Sequence, residues 1–289
     1  MGVSRWLRPL AWATLAANVV LVVTGGAVRL TGSGLGCPTW PRCTDRSFTP
    51  HGALDAHEAI EFGNRTLTFV LVAIAVATLV VAWRTGRRDL RVLALVLALG
   101  IPAQAVIGGI TVLTDLNPWV VSFHLLCSLA IIGLAVLFLH RIDHPAGGHV
   151  ARGPAVVLAR LTFAAAWLVL YFGTVVTGSG PHAGDVDVAR NGLDPRDVSQ
   201  LHTDAVFLFV GLTVGLLFAV RATHGVTKPL QVLLGVIVVQ ACIGFVQYAT
   251  DLPIVLVGLH MLGAALVSAA VTWVLVTVRE PAEPGRVSA

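Results

Sequence analysis

Three histidines of this 289-residue chain lie inside or at the top of long apolar stretches, where an ionisable side chain is a functional candidate by default. They are His124, His202 and His260. One hydrogen bond to a neighbouring helix would satisfy such a side chain without any further role. Two imidazoles on neighbouring helices, however, suit the two axial positions of a haem iron. A zinc site would need more ligands nearby, and none is evident. His202 and His260 therefore predict a haem site.

A second polar group lies in the segment from His57 to Arg65, which reads His-Glu-Ala-Ile-Glu-Phe-Gly-Asn-Arg. Helical spacing puts Glu61 and Asn64 on one face and places His57 one turn before Glu61. Glu61 is either a proton acceptor or the ion-pair partner of Arg65, and the spacing favours neither. Asn64 corresponds by position to His202, and an amide is a poor ligand for iron.

Two of the four cysteines, Cys37 and Cys43, lie in one polar loop. Outside a bacterial membrane, such a pair is typical of a disulfide or a redox-active dithiol, and this spacing favours a metal site less. Cys127 and Cys242 lie in apolar stretches, and we expect them to be buried as small apolar side chains.

The elements that position these residues form a repeat. Residues 104–124, QAVIGGITVLTDLNPWVVSFH, align without a gap with residues 240–260, QACIGFVQYATDLPIVLVGLH, and 9 of 21 positions are identical. Each copy predicts a helix, a tight turn and a returning helix that carries one histidine near its start. A second echo, Thr-Gly-Ser-Gly, begins at Thr31 and at Thr177. The chain therefore divides into related halves, residues 1–145 and 146–289, by duplication.

Composition requires a membrane. The chain is 56% hydrophobic and only 12% charged, whereas soluble domains carry about 25% charged residues. Eight apolar stretches are long enough to span a bilayer: about 9–30, 60–83, 92–113, 118–140, 155–177, 199–220, 229–249 and 253–277. The first lacks a small-residue cleavage site, so we expect a retained helix. We predict an all-α integral membrane protein whose eight helices form two tandem, pseudo-two-fold-related four-helix bundles.

Basic residues predict the orientation. With both termini in the cytoplasm, the inner segments hold 13 of the 19 Lys and Arg residues, as the positive-inside rule requires. Two outer loops follow, about 31–59 and 178–198. The other histidines flank the helices: His51, His57 and His182 in outer loops, and His140, His144, His149 and His224 at the inner edge. The net charge of +4 follows this topology, and no basic run suggests nucleic acid.

The chain resembles the haem A synthase family over nearly its whole length. The resemblance rests on the run Gly25-Gly-Ala-Val-Arg-Leu-Thr-Gly-Ser-Gly-Leu-Gly-Cys37-Pro-Thr-Trp-Pro-Arg-Cys43, on Ile60-Glu61-Phe-Gly-Asn64-Arg65, and on the duplicated helix-turn-helix. It implies oxidation of a methyl group of haem O, by successive hydroxylations with oxygen from water, to the formyl group of haem A for cytochrome oxidase. It also implies haem O synthase, a farnesyltransferase, and an electron acceptor as partners.

The resemblance also implies roles for individual residues. His202 and His260 would be the axial ligands of a cofactor haem b in the second half, and His124 would lie in the substrate-haem pocket of the first half. Glu61 matches the essential carboxylate of the family, and Cys37 with Cys43 matches its outer-loop cysteine pair. The family commonly has His where this chain has Asn64, so the first-half iron has one His ligand or recruits another, with His57 a candidate.

Two other functions fit part of the pattern. A haem b-containing electron-transfer membrane subunit explains the paired histidines equally well, but it explains neither the cysteine loop nor Glu61. A transporter fits the tandem repeat, since some transporters have parallel repeats. Its polar residues would lie near the middle of the membrane, whereas here they gather toward the predicted outer edge.

Overall fold

The computed structural model describes residues 4–50, 55–146, 153–185, 187–223 and 225–279. The predictions for His51, His149 and His224 lie outside these residues. The described chain forms eight long helices: α1 (Leu7–Leu30), α2 (Ala56–Arg84), α3 (Arg88–Leu113), α4 (Pro118–Asp143), α5 (Pro154–Ser179), α6 (Pro195–Ala222), α7 (Lys228–Ala249) and α8 (Ile254–Val278). Each is long and apolar enough to cross a bilayer, which confirms the predicted all-α, multi-pass membrane protein.

Helices α2 and α6 begin about four residues earlier than the apolar stretches predict. Their first turns are polar, and each follows an aspartate that caps the helix. The Asp55 carboxylate accepts a hydrogen bond from the Ala56 amide at 2.6 Å, and the Asp194 carboxylate accepts one from the Arg196 amide at 2.8 Å. Such a cap satisfies an amide that the helix itself leaves unbonded. His57 therefore lies in the first turn of α2, not in the preceding loop as predicted.

The helices pack in two rings of four. Helix α1 contacts α2, α2 contacts α3, α3 contacts α4, and α4 contacts α1; helices α5 to α8 follow the same order. The two rings meet through α1, α4, α5 and α8, which form the centre of the molecule. These contacts are those expected of two bundles, while the pseudo-two-fold relation between the halves stays a prediction.

Small residues let the central helices α4 and α8 approach closely. A Cβ atom built on Gly133 of α4 would lie 2.9 Å from the Thr272 hydroxyl of α8, so only glycine fits without a shift. The Ser268 hydroxyl donates to the Leu129 carbonyl at 2.7 Å across the same interface. Small residues and interhelical hydrogen bonds are the usual means of joining helices in a membrane. The contact places α4, which carries His124, beside α8, which carries His260.

The two helix-turn-helix copies share an unusual backbone. Asp115 and Leu116 have φ of 50° and 55°, and Asp251 and Leu252 both have φ of 58°. In each copy the leucine amide bonds a carbonyl five residues earlier, at 2.8 Å. Non-glycine residues rarely adopt this left-handed conformation, so its presence at matching positions confirms the predicted tight turn in both copies.

The repeated Thr-Gly-Ser-Gly segments at Thr31 and Thr177, by contrast, differ in structure between the halves. Helix α1 ends at Leu30 because Gly32 takes a φ of 68°, whereas α5 continues through Ser179. Asn191 stabilises the longer helix: its amide side chain donates to the Val175 carbonyl at 2.9 Å. Both long loops lie at the end of the molecule where α1 and α5 finish, which we call the long-loop end.

Candidate functional site

His202 of α6 and His260 of α8 lie next to each other in the second ring. Their ring centroids are 6.4 Å apart and their planes meet at 67°. His202 is oriented by its Nδ1 atom, which donates to the Val169 carbonyl of α5 at 3.1 Å. A hydrogen bond at Nδ1 leaves the other ring nitrogen, Nε2, as an acceptor that can bind a metal.

The separation of these two rings fits axial ligation of one iron. Two imidazoles on a shared metal have centroids roughly 6.4 Å apart, because a metal–nitrogen bond is about 2.1 Å and the ring centre lies about 1.1 Å beyond the nitrogen. The observed centroid separation of 6.4 Å allows such an arrangement. A 67° angle between planes is compatible with shared ligation, since each ring can rotate about its bond to the metal.

Glycines on adjacent helices make room for the imidazoles. A Cβ atom built on Gly173 of α5 would lie 3.3 Å from Cε1 of His202, and one on Gly244 of α7 would lie 3.3 Å from Cε1 of His260. In the first half, a Cβ on Gly108 would lie at the same 3.3 Å from Cε1 of His124. The three histidines therefore occupy similar niches in which the neighbouring helix lacks a side chain, but the nearer nitrogen to the glycine is Nε2 for His124 and Nδ1 for His202 and His260.

His124 and His260 also share their surroundings. Gln104 donates to the His124 carbonyl at 3.2 Å, and Gln240 donates to the His260 carbonyl at 2.7 Å. The Nδ1 atoms of both histidines are buried and have no hydrogen-bond partner among the described residues. Each histidine is the seventh residue of its helix, which puts both about 9 Å below the helix start at the long-loop end.

Asn64 of α2 takes the position in the first ring that His202 takes in the second. It lies about 12 Å below the start of α2, and His202 lies about 11 Å below the start of α6. Each bonds the first helix of its own ring: the Thr24 hydroxyl of α1 donates to Asn64 Oδ1 at 2.8 Å, while His202 donates to α5. The structure thus supports the correspondence that the sequence predicts.

Glu61 is buried three residues before Asn64, with a 5% exposed surface. Its Oε2 atom accepts a hydrogen bond from the Cys37 amide at 2.6 Å. Its Oε1 atom accepts two from the Arg65 guanidinium, at 2.5 and 3.1 Å. The ion pair that the sequence left open is therefore formed, and both carboxylate oxygens are fixed in position.

Arg65 also holds the cysteine loop. Its guanidinium donates to the carbonyls of Cys37 at 2.9 Å, Thr39 at 3.2 Å and Arg42 at 3.3 Å. The loop is closed by a disulfide between Cys37 and Cys43, both of which are buried. One arginine therefore joins the carboxylate of α2 to the disulfide loop.

The other predicted side chains make no hydrogen bond to these groups among the described residues. His57 is exposed and its Nδ1 atom is hydrogen-bonded to the Ser33 hydroxyl at 3.0 Å. Cys127 is half-buried and unpaired. Cys242 is unpaired and exposed, so the prediction that it is buried is wrong. It lies on α7, an outer helix of its ring, which presents one face to lipid.

Several residues that support the histidines are visible in the sequence only as matches between the two copies of the repeat. Gln104 and Gly108 match Gln240 and Gly244 in the repeat, and these are the residues that contact the two histidines. Their identity in the two copies singles them out in the sequence. Their role becomes clear only from the contacts between adjacent helices.

The chain is similar in sequence to known proteins of cytochrome oxidase assembly and haem A synthesis. Residues 8–184 match the model of the COX15-CtaA family, described as cytochrome oxidase assembly protein. A heme A synthase of Geobacillus kaustophilus is 29% identical over 146 residues, which cover 45% of this chain and 44% of that protein. A heme A synthase of Geobacillus thermodenitrificans is 32% identical over 112 residues, 37% of this chain and 33% of that protein.

A third relative carries a different name. A protoheme IX farnesyltransferase of Halobacterium salinarum is 38% identical over 96 residues, which cover 32% of this chain and 21% of that protein. The chain spans less than half the length of each of these three curated relatives.

Proposed function

Because this chain belongs to the COX15-CtaA family of cytochrome oxidase assembly proteins, we propose that it is a haem A synthase. The observation that carries the proposal is the buried Glu61 carboxylate, which the Cys37 amide and the Arg65 guanidinium hold beside the disulfide loop. The pair formed by His202 and His260, whose ring centroids are 6.4 Å apart, supports a haem site. These residues would hold haem b, which supplies electron transfer when bound. His124, in its similar niche in the first ring, would contact the substrate haem O.

The proposed reaction converts one methyl group of haem O into a formyl group. The methyl carbon and one water give an alcohol, two protons and two electrons. A second water gives a geminal diol with two more protons and electrons, and the diol then loses water to become the aldehyde. Four electrons leave for each haem A formed, so the reaction needs an electron acceptor beyond this chain.

Glu61 is the proposed catalytic carboxylate. Its two oxygens are held by the Cys37 amide and the Arg65 guanidinium, so its position is fixed before substrate arrives. Carboxylates fixed away from bulk water stabilise developing positive charge more strongly than water does. Glu61 would stabilise the electron-deficient carbon and receive or direct the released protons. The disulfide between Cys37 and Cys43 would keep the supporting amide in place.

The proposal also covers the orientation of the protein in the membrane and the supply of its substrate. With both termini in the cytoplasm of a cell-membrane protein, the long-loop end lies outside, which agrees with the disulfide at that end. Haem O would be supplied by a haem O synthase, a farnesyltransferase. Membrane lipid surrounds the helices.

The test is expression in a host that makes haem O but no haem A, followed by extraction and chromatography of the pigments. We expect haem A with the wild-type chain and none with Glu61→Gln, while haem b stays bound. Glu58→Gln, which changes a carboxylate one turn earlier on α2, is the matched control and should produce haem A normally.

The same experiment separates the alternative function. An electron-transfer subunit would retain haem b and form no haem A even when haem O is present. That result would overturn the synthase proposal. Normal haem A production by Glu61→Gln would leave the synthase in place but remove Glu61 from the chemistry.

A further inference from the structure

The two rings differ at one decisive position. In the second ring two imidazoles lie in a T-shaped arrangement with centroids 6.4 Å apart, whereas in the first ring the residue corresponding to His202 is Asn64. The correspondence is structural as well as sequential, since Asn64 and His202 lie at similar depth and both bond the first helix of their ring. The remaining imidazole, His124, keeps the same glycine and glutamine neighbours as His260.

Asn64 is a poor replacement for an imidazole ligand. Imidazole nitrogen suits iron, whereas carbonyl oxygen suits hard cations such as magnesium and calcium. The Asn64 oxygen is also engaged, because it accepts the Thr24 hydroxyl at 2.8 Å. That hydrogen bond leaves the amide group Nδ2 as the available atom, and an amide NH₂ can only donate. Nδ2 has no hydrogen-bond partner among the described residues, and a Cβ built on Gly25 would be 4.0 Å away from it.

We propose that the first ring is a one-imidazole haem site with an exchangeable ligand position. Among the described residues of the first ring, His124 would be the imidazole that holds the iron, and Asn64 would leave a second ligand position free. Its Nδ2 atom donates a hydrogen bond to a small ligand bound there, such as water, hydroxide or cyanide. This inference rests on the proposed function, because it assumes that the first ring binds haem.

The difference in the number of histidines gives the two proposed haem sites different functions. A haem held by two histidines has no free coordination position and suits electron transfer. A haem held by one histidine has fewer bonds to break on release, which suits a substrate that must leave as product. Thr24 and Asn64 thereby act as positioning residues that distinguish the exchanging site from the permanent one.

The test uses the purified full-length chain in detergent, loaded with haemin. Wild-type protein should bind two haems, one low-spin and one high-spin. After reduction, the high-spin haem alone should bind carbon monoxide. Asn64→His should make the first-ring haem low-spin and abolish its carbon monoxide binding. The reciprocal variant His202→Asn should create a second haem that binds carbon monoxide.

A second variant covers the case in which the larger imidazole prevents folding. Asn64→Leu keeps the size of the side chain but removes the donor, so the haem should stay high-spin while cyanide dissociates on the order of tenfold faster. Unchanged cyanide dissociation would overturn the hydrogen bond from Asn64.

Two further outcomes distinguish the inference from the function on which it rests. Suppose that wild-type protein binds two low-spin haems, neither reacting with carbon monoxide, and that His124→Ala removes one. The first ring then binds haem with two strong ligands, and only the inference fails. A single haem that His124→Ala does not affect would overturn the inference and the proposed substrate site together.

Discussion

Arg65 offers the sharpest test of the carboxylate site, because one side chain joins Glu61 to the disulfide loop. Replacing it with glutamine removes the positive charge beside Glu61 and most of the donors to the loop carbonyls. Glu61 would keep only the Cys37 amide as a partner. The variant therefore leaves a buried carboxylate that no cation balances.

The cost follows from the burial of the pair. Removing one partner of a buried ion pair costs about 3–5 kcal/mol. The Arg65 side chain is 23% exposed and that of Glu61 only 6%, so the lower end, about 3 kcal/mol, applies. At roughly 2–4 °C per kcal/mol, the unfolding temperature should fall by about 6–12 °C. The double variant Glu61→Gln with Arg65→Gln removes the unpaired charge and should recover part of that loss, because substitutions at two residues in contact are not additive.

Thermal unfolding of the purified variants in detergent measures this effect. Arg46→Gln is the control, because Arg46 is an exposed arginine of the same loop and its loss should change stability by less than about 0.5 kcal/mol. If Arg65→Gln unfolds at the same temperature as Arg46→Gln, or if the two substitutions are additive in the double variant, the ion pair does not stabilise the site as argued.

Three other predictions concern single positions. Gly244→Ala puts a Cβ 3.3 Å from the His260 ring and should lower the haem b content of the purified protein, whereas Gly235→Ala on the same helix, with no atom within 4 Å, should not. Asp115→Val forces a β-branched residue into a φ of 50° and should unfold more easily than Asp115→Gly by about 1 kcal/mol, measured by the same thermal assay. Cys37→Ser opens the disulfide, and we expect loss of haem A with haem b retained in extracted pigments; full haem A production would count against a role for the loop.

Much of the fold followed from the sequence because it depends on local properties. Apolar length predicted eight spans, and the repeat predicted both tight turns, whose left-handed aspartate and leucine the structure contains. The errors lay at the edges of helices. Asp55 and Asp194 extend α2 and α6 beyond the apolar stretches, since a capped polar turn continues a helix outside the hydrocarbon.

The candidate site also has features that the sequence predicted and features that only the packing shows. Residue type and position in the sequence singled out His124, His202, His260, Glu61 and the cysteine pair. The sequence did not show that Cys242 faces outward, because an apolar stretch has the same composition on its lipid face and on its packed face. Only the packing of α7 at the outside of its ring decides which face is exposed.

Residue types and their spacing were enough to identify the side chains that could do chemistry and to show that the chain contains them in two related copies, because both are local properties. Tertiary structure alone decided which of them meet. Residues 202 and 260 lie 58 positions apart, and their 6.4 Å separation depends on how α6 and α8 are placed around α5 and α7. The bond from the Cys37 amide to Glu61 likewise depends on a loop folding back over α2, which side-chain contacts specify and spacing along the chain does not.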